Sequence, residues 1–290
     1  MKNIAVIFFC YNRVEKIKKT IYSYLSCYEH QKNNIYVFID GSPNGDNSVQ
    51  DDIHENVTKI LPEATIIQRK KNMGLKLSIF DGISQVLKKH DAAIIIEDDL
   101  DLSPYFYIYM RDSLNIYKNS SKIYQISGFK YSPGKSENAH LLPITTSWGW
   151  ATWKDKWANF DINNNQILNV KKKDEFKYNF YFSFPFSKMA KNELNNNISS
   201  WAIRWYSFVF SVKGLTLYPP TNLVINRGFD TSGTHNSNYS NVLFSKHQIS
   251  SEKLPALKKE ENGTNKYELL KLIFYFQRKT FSYIIRKVLC

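Results

Sequence analysis

Ile94-Ile95-Ile96-Glu97-Asp98-Asp99-Leu100-Asp101 decides how this chain is read. Residues 92–96 are apolar and predict a buried strand, which runs into four carboxylates within five positions. Carboxylates gathered at the end of a buried strand are costly unless something neutralises them, and a divalent cation with oxygen ligands does so. The place also suits a ligand, because open α/β sheets bind beyond the carboxyl ends of their strands. A solvated acidic turn is the competing reading. The flanking pattern of strand and then helix favours the first.

Upstream, residues 4–10 predict a buried strand. Asn12 is placed to cap a helix whose Val14, Ile17, Ile21, Tyr24, Leu25 and Tyr28 share one face. A second strand, 35–39, ends at the turn-rich Asp40-Gly41-Ser42-Pro43-Asn44-Gly45. A third strand covers 64–67, and the next helix carries Ile79, Phe80, Ile83, Val86 and Leu87. Downstream, Ser103-Pro104 predicts a helix start with Ser at the N-cap and Pro at N1. Strands and helices thus alternate through residue 120, which predicts an α/β fold with a parallel sheet that binds a nucleotide at its carboxyl edge. Neither GxGxxG nor GxxxxGK[ST] occurs, so the phosphate-loop classes are excluded.

Beyond 120 the pattern loosens. A short strand at 123–127 leads to Thr146-Ser147-Trp148-Gly149-Trp150-Ala151-Thr152-Trp153, and residues 161–197 are polar and rich in Asn and Lys. Trp201 and Trp205 stand one helical turn apart, a strand follows near Gly214 to Tyr218, and a polar loop runs from Asn226 to His235. Residues 241–265 read as a linker. In 266–290, Lys271, Arg278, Lys279 and Arg286 fall on one side of a helix. Leu269, Leu270, Ile273, Phe276, Phe281 and Ile284 fall on the other. That pattern suits either an anionic membrane surface or docking on the protein core.

The 290 residues carry 43% hydrophobic and 15% aromatic residues, enough for a real core, and a formal net charge of +13. Such charge fits nucleic acid, an anionic membrane face or phosphorylated small molecules. No zinc-finger spacing or RNA-binding aromatic signature is present, and nucleic acid is not expected as a partner. Cys10, Cys27 and Cys290 are odd in number and scattered, which points to a reducing compartment. The run 4–9 is too short for a signal peptide, and no stretch of 18 apolar residues occurs. The expected location is therefore cytoplasmic, peripheral on the inner face of the plasma membrane if the last helix binds lipid.

Phe9-Cys10-Tyr11-Asn12-Arg13, Asp40, Glu97 to Asp101, Trp148-Gly149-Trp150 and Trp201 to Trp205 occur in an order that resembles glycosyltransferases of the GT-A fold. The likeness is to bacterial family-2-like sugar transferases of polysaccharide synthesis, and more distantly to the animal N-acetylglucosaminyltransferase that initiates complex N-glycans. It covers roughly residues 3–235. It implies a GT-A α/β fold with a nucleotide-sugar half at 1–120 and an acceptor half at 121–240. It implies a metal-dependent, inverting transfer from a nucleoside-diphosphate sugar, UDP by the likeness at Asp40, to a glycan or lipid-linked acceptor. Mn2+ or Mg2+ is the implied cofactor, with Asp99 as the direct ligand and Asp98 facing ribose or donor sugar. Asn12 and Arg13 fall in the nucleotide-binding segment, Arg13 as its cation. Asp40 would accept the uracil imide N–H, and Lys76 lies where relatives contact the donor. Trp148 and Trp150 would form a platform for the acceptor sugar, Arg204 would bind diphosphate or an acidic acceptor, and His235 would reach the metal.

Each assignment has a plainer alternative. Arg13 and Lys76 also read as solvated residues at helix starts, and Asp40 as a turn former. Trp148 and Trp150 also read as core packing, as do Trp201 and Trp205. Arg204 also reads as the partner of a structural carboxylate, and His235 as a surface residue. The likeness breaks at the base. The animal enzyme carries an acidic pair between two Trp residues, where this chain has Ala202-Ile203-Arg204. Asp230 is the preferred candidate for deprotonating the acceptor, with Asp155 second. Two other functions compete. A sugar nucleotidyltransferase is disfavoured by the lack of glycine in Tyr11-Asn12-Arg13-Val14. A catalytically inactive GT-A-like carbohydrate-binding protein is favoured by the missing base and disfavoured by the intact acidic run.

Overall fold

The computed structural model describes residues 3–132, 134–181, 183–228, 247–258 and 263–289, with side chains through 278. Ten strands are described: β1 Ile4–Cys10, β2 Ile35–Ile39, β3 Thr65–Gln68, β4 Ala92–Glu97, β5 Leu100–Leu102, β6 Ile123–Ser127, β7 His140–Leu142, β8 Trp150–Trp153, β9 Leu215–Tyr218 and β10 Val224–Asn226. Eight of them form one sheet in the order β3-β2-β1-β4-β8-β6-β9-β7. The pairs β1–β2, β1–β4, β2–β3 and β6–β9 are parallel. Strand β8 runs antiparallel to both β4 and β6, and β7 antiparallel to β9. This is the mostly parallel α/β sheet that the GT-A resemblance implies. Residues on either side of 120 share it, because β8 is hydrogen-bonded directly to β4.

The helices are α1 Val14–Leu25, α2 Ser48–Ile60, α3 Gly74–Leu87, α4 Phe106–Ile116, the short α5 Lys154–Trp157 and α6 Glu175–Tyr178, α7 Phe186–Leu194, α8 Trp201–Ser211 and α9 Lys266–Leu289. Strand alternation sends Val6, Phe8, Ile94 and Ile96 to one face, against Ile17, Ile21, Ile53 and Met110. Ala5, Ile7, Phe9 and Ile95 go to the other, against Ile79, Ile83, Trp150, Trp201 and Trp205. Every residue of β1 is buried, as a strand covered on both faces requires.

Several local expectations are corrected. Asn12 does not cap α1: Arg13 holds the N-cap position, and no side chain bonds the helix start. Helix α2 was not expected, because only Gln50, Ile53 and Val57 turn inward and the apolar period is sparse. Ser103 does not cap α4, which begins at Phe106. Its backbone is held by Leu223 at 2.8 Å, and its hydroxyl instead accepts the Tyr105 N–H at 3.1 Å. Between the acidic run and that helix, β5 pairs antiparallel with β10, a ribbon that the local sequence does not announce.

The C-terminal helix divides its apolar residues differently from the expected pattern. Leu272, Ile273 and Phe276 are buried in a cluster with Phe180, Tyr206 and Tyr218. Phe276 meets Phe184 edge-on, with ring centroids 4.3 Å apart. The face expected to lie on lipid is therefore the docked face over 269–276, with Leu270 turned outward. Among the described residues no helix is long and apolar enough to cross a membrane.

Candidate active site

The parallel pairing of β1 with β4 brings the segment after Cys10 beside the segment after Glu97. Arg13 reaches across that gap. Its Nε donates to Asp98 Oδ2 at 3.2 Å and its Nη1 to Asp99 Oδ2 at 3.2 Å, while Nη2 pairs with Asp98 Oδ1. The aspartates are held from behind. Thr20 Oγ1 donates to the Asp98 carbonyl at 2.9 Å and accepts the Leu100 N–H at 3.2 Å. The Arg227 N–H donates to the Asp99 carbonyl at 2.7 Å. Gly228 follows, and a Cβ there would collide with Asp99 Oδ2, so only glycine permits this approach.

The acidic run carries more negative charge than its protein partners cancel. Burial pushes Glu97 up to about 8, with Asp99 and Asp98 adding to the shift and Arg13 opposing it. Burial pushes Asp98 up to about 6 against the pull of Arg13. Burial works against the Arg13 charge, but the two aspartates outweigh it and hold the guanidinium more firmly protonated. Asp99 Oδ1 is buried and accepts no hydrogen bond among the described residues. A hard, oxygen-binding cation fits that oxygen. Among the described residues no three His, Cys, Asp or Glu side chains converge as a ligand set. A cation on Asp99 would therefore complete its shell with oxygens from a ligand and water, as Mg2+ does on one or two carboxylates and substrate phosphates.

One strand over, Asp40 is buried at the end of β2. Its Oδ1 accepts the Gly41 N–H at 3.1 Å and the Met73 N–H at 2.9 Å. The turn reading of Asp40 thus holds at Oδ1, while Oδ2 makes no hydrogen bond among the described residues. A Cβ on Gly41 would sit 2.6 Å from the Lys71 backbone, so the two loops touch. They line a groove of about 530 Å3 with Ser42, Asn44, Lys70 and Asn72 on its walls. Asn12 is exposed in the loop between β1 and α1.

Four other candidates lie elsewhere in the fold. Trp150 is fully buried and stacks on Trp201 at 5.4 Å and 17°, so it is core and offers no face to a sugar. Trp148 is half-buried, edge-on to Phe129 at 4.5 Å. Arg204 is also turned inward: its Nε donates to Glu193 Oε1 at 2.6 Å, and its Nη groups donate to the Ile162 carbonyl and Asn165. Lys76 donates to the same Glu193 oxygen at 2.8 Å. Arg204, buried on Glu193, is therefore the partner of a structural carboxylate, and Lys76 shares that carboxylate from a partly exposed position. Burial alone would raise Glu193, but hydrogen bonds from Lys76, Arg204 and the Ser200 N–H outweigh it and hold the carboxyl below its usual range. Asp230 and His235 lie outside the described residues.

Two residues escaped sequence reasoning. Glu193 sits in the polar 161–197 stretch; its signal was a lone acid on the Phe186, Met189, Ala190 face of a short basic helix. Arg227 sits at the end of β10, with its Nε 2.7 Å from Asp101 and its side chain 63% exposed. Only the β5–β10 ribbon brings it to the acidic run.

No protein-family model matches the chain, and no curated protein matches it. Among solved structures it is similar to the mannosyltransferase PcManGT from Pyrobaculum calidifontis, in complex with GDP-Man and Mn2+. Identity is 11% over 72% of this chain and 74% of the other, with a TM-score of 0.40. It is similar to GalNAc-T7 with UDP, GalNAc and Mn2+ at 9% identity over 76% of this chain and 43% of the other, TM-score 0.48. It is similar to glucosyl-3-phosphoglycerate synthase from Mycobacterium tuberculosis, in complex with Mn2+, UDP and glucosyl-3-phosphoglycerate. That match has 14% identity over 53% of this chain and 57% of the other, TM-score 0.37. The chain thus spans less than two thirds of the latter two.

The acidic run sets a pH dependence. Glu97, ordinarily near 4.5, is raised to about 8. Between those values the folded chain binds a proton that the unfolded chain has released, so stability falls as pH rises through that window. Denaturant midpoints in metal-free buffer should decline over it, and Glu97→Gln should flatten the decline above the range where Asp98 titrates. A midpoint that rises with pH in the wild type would contradict this.

Proposed function

We propose that the chain is a metal-dependent glycosyltransferase. It moves a sugar from a nucleoside-diphosphate donor, UDP in this reading, to a glycan or lipid-linked acceptor of surface polysaccharide or glycoconjugate synthesis, with inversion. The observation that carries the proposal is the buried, unpartnered Asp99 Oδ1 beside the Arg13–Asp98 pair at the carboxyl edge of the sheet.

Asp99 would hold Mn2+ or Mg2+. Bound there, the metal would neutralise charge that grows on the leaving diphosphate. Arg13, fixed by both aspartates, orients Asp98 and Asp99 and limits the repulsion between them. Arg227 keeps its exposed guanidinium beside Asp101, as a second cation for the diphosphate. Asp40 closes the nucleobase end through the loop it braces. Transfer with inversion also requires a base at the acceptor hydroxyl, and Asp230 is our candidate. Glu193, tied by Lys76 and Arg204, is unsuited to that role. That a carboxylate near α8 is engaged in this way favours the second reading, a carbohydrate-binding protein that binds donor without turning it over.

Residues 266–289 supply the membrane side of the proposal. Tyr267, Leu270 and Phe274 are 74%, 54% and 66% exposed, an outward stripe at i, i+3 and i+7. Six Lys and Arg against the single Glu268 accompany it in the sequence. An apolar stripe with basic company suits an anionic leaflet and supports the reading of a protein peripheral to a cytoplasmic membrane face.

UDP with Mn2+ should raise the melting temperature well beyond either alone, since ligand binding to the native state stabilises it through linkage. Asp99→Asn should erase the metal-dependent part. UDP stabilisation indifferent to metal, or unchanged in Asp99→Asn, would overturn the reading. UDP bound with metal but no sugar released or transferred would select the binding-protein alternative.

Leu270→Ser with Phe274→Ser should lower cosedimentation with phosphatidylserine-containing vesicles several-fold, roughly as loss of two apolar anchors implies, without lowering the melting temperature. Unchanged sedimentation would remove the membrane assignment.

A further inference from the structure

Lys171-Lys172-Lys173-Asp174-Glu175-Phe176-Lys177 carries six charges in seven positions and takes no part in the site. It folds as a tight turn at 172–174 followed by α6. All four lysines are exposed, in company with the acids Asp174 and Glu175. A run of lysines is ordinarily a solvated face, and a lone exposed apolar residue is common. Phe176 is different, because the fold holds it out. It is 46% exposed, while Tyr178, two positions on, is buried with its hydroxyl 2.6 Å from Ser207 Oγ. With Tyr178 fixed inward, the short helix turns Phe176 outward.

The backbone that presents Phe176 is built under strain. Phe180 and Tyr181 have φ of 45° and 57°, two consecutive aromatic residues in the left-handed region that L-residues avoid. This reversal lets the Tyr181 N–H donate to the Phe176 carbonyl at 2.8 Å. It also stands the Tyr181 ring edge-on to Phe176, with centroids 5.2 Å apart. Strain of this kind persists only where the surrounding fold imposes it, and it concentrates in segments with a task. Here the surrounding fold is α9. Phe180 is buried edge-on to Phe276, centroids 6.5 Å apart, and Tyr178, Phe180, Leu272, Ile273 and Phe276 form one cluster. From that cluster Phe176 turns outward on one element, and Leu270 and Phe274 on the other. Lys177 follows Phe176, and Lys271 follows Leu270.

We propose that residues 171–177 are a second, separate contact with an anionic bilayer. Phe176 enters the headgroup layer, Tyr181 supports it at the boundary, and the four lysines lie among the lipid phosphates and carboxylates. Aromatic rings favour that boundary, and basic residues favour an anionic leaflet. A soluble polyanion would satisfy the lysines and leave the ring in water. The inference rests on the membrane reading of α9 and adds to it an element remote in sequence. Two contacts joined through one cluster fix the tilt of the protein on the surface, which a single helix does not.

The test is cosedimentation of the full chain with phosphatidylcholine vesicles, with and without phosphatidylserine. Lys172→Gln with Lys173→Gln should weaken binding to the phosphatidylserine vesicles by about tenfold or more, since each lysine near an anionic surface is worth about fivefold. Both positions are exposed, so the melting temperature should stay at the wild-type value. Phe176→Ser should weaken binding several-fold, and Phe176→Trp should retain it. Wild-type binding that needs phosphatidylserine but is unchanged in the lysine pair and in Phe176→Ser would overturn the inference. If Leu270→Ser with Phe274→Ser then abolishes that binding, the reading of α9 stands without a second contact. Binding lost in the lysine pair but unchanged in Phe176→Ser would reduce the segment to diffuse charge attraction and overturn the inference as well. No binding of the wild type to either vesicle would remove both.

Discussion

One guanidinium set against three carboxylates at the end of a buried strand is the constraint from which the rest of this structure follows. Strand β4 is apolar through Ile96 and then delivers Glu97, Asp98 and Asp99 into a place that water reaches poorly. Arg13, on Asp98 and Asp99, does not offset the cost of burying them, because Glu97 and Asp98 remain displaced upward, chiefly by burial. In the reading proposed here a cation relieves that burial, and Asp99 Oδ1, buried without a hydrogen-bond partner among the described residues, is the oxygen that would take it. The adjacency of β1 and β4, the Thr20 bridge to the Asp98 carbonyl and the glycine at 228 against Asp99 Oδ2 hold the two aspartates in place.

The two sides of the cleft are stiffened by different means. On one side, at the ends of β2 and β3, two loops are locked by Asp40 and by the contact between Gly41 and Lys71. On the other, Glu193 ties α3, α7 and α8 through Lys76, Arg204 and the Ser200 amide, behind a stack of Trp150, Trp201 and Trp205. Removing one partner of such a buried network leaves an uncompensated charge, so its members serve shape before chemistry. Of the two indoles expected as a sugar platform, Trp150 belongs to this packed wall, together with Trp201 and Trp205, which already read as core.

The first 120 residues are legible because their strands are uniform apolar runs and three of them end in chemically distinct residues: Arg13 past β1, Asp40 past β2, the acidic run past β4. Periodicity reports such elements well. Where it failed, the cause was tertiary. Helix α2 buries few residues and so leaves a weak apolar pattern. The β5–β10 ribbon pairs segments far apart in the chain, and with it comes Arg227, which nothing local marks as a site residue. Arg204 and Lys76 were noticed as cations, but their common partner Glu193 lies in another element. In α9 both faces carry apolar residues, and only the position of the aromatic cluster around Phe180, Tyr206 and Tyr218 determines which one turns inward.

The most direct test is the position of manganese in crystals grown with UDP and Mn2+, read from its anomalous scattering. The account predicts a peak within coordination distance of an Asp99 carboxylate oxygen, about 2.0–2.6 Å for a hard cation on oxygen, with diphosphate oxygens completing the shell. Nucleotide bound with no anomalous peak at Asp99, or a peak held by other residues, would contradict it.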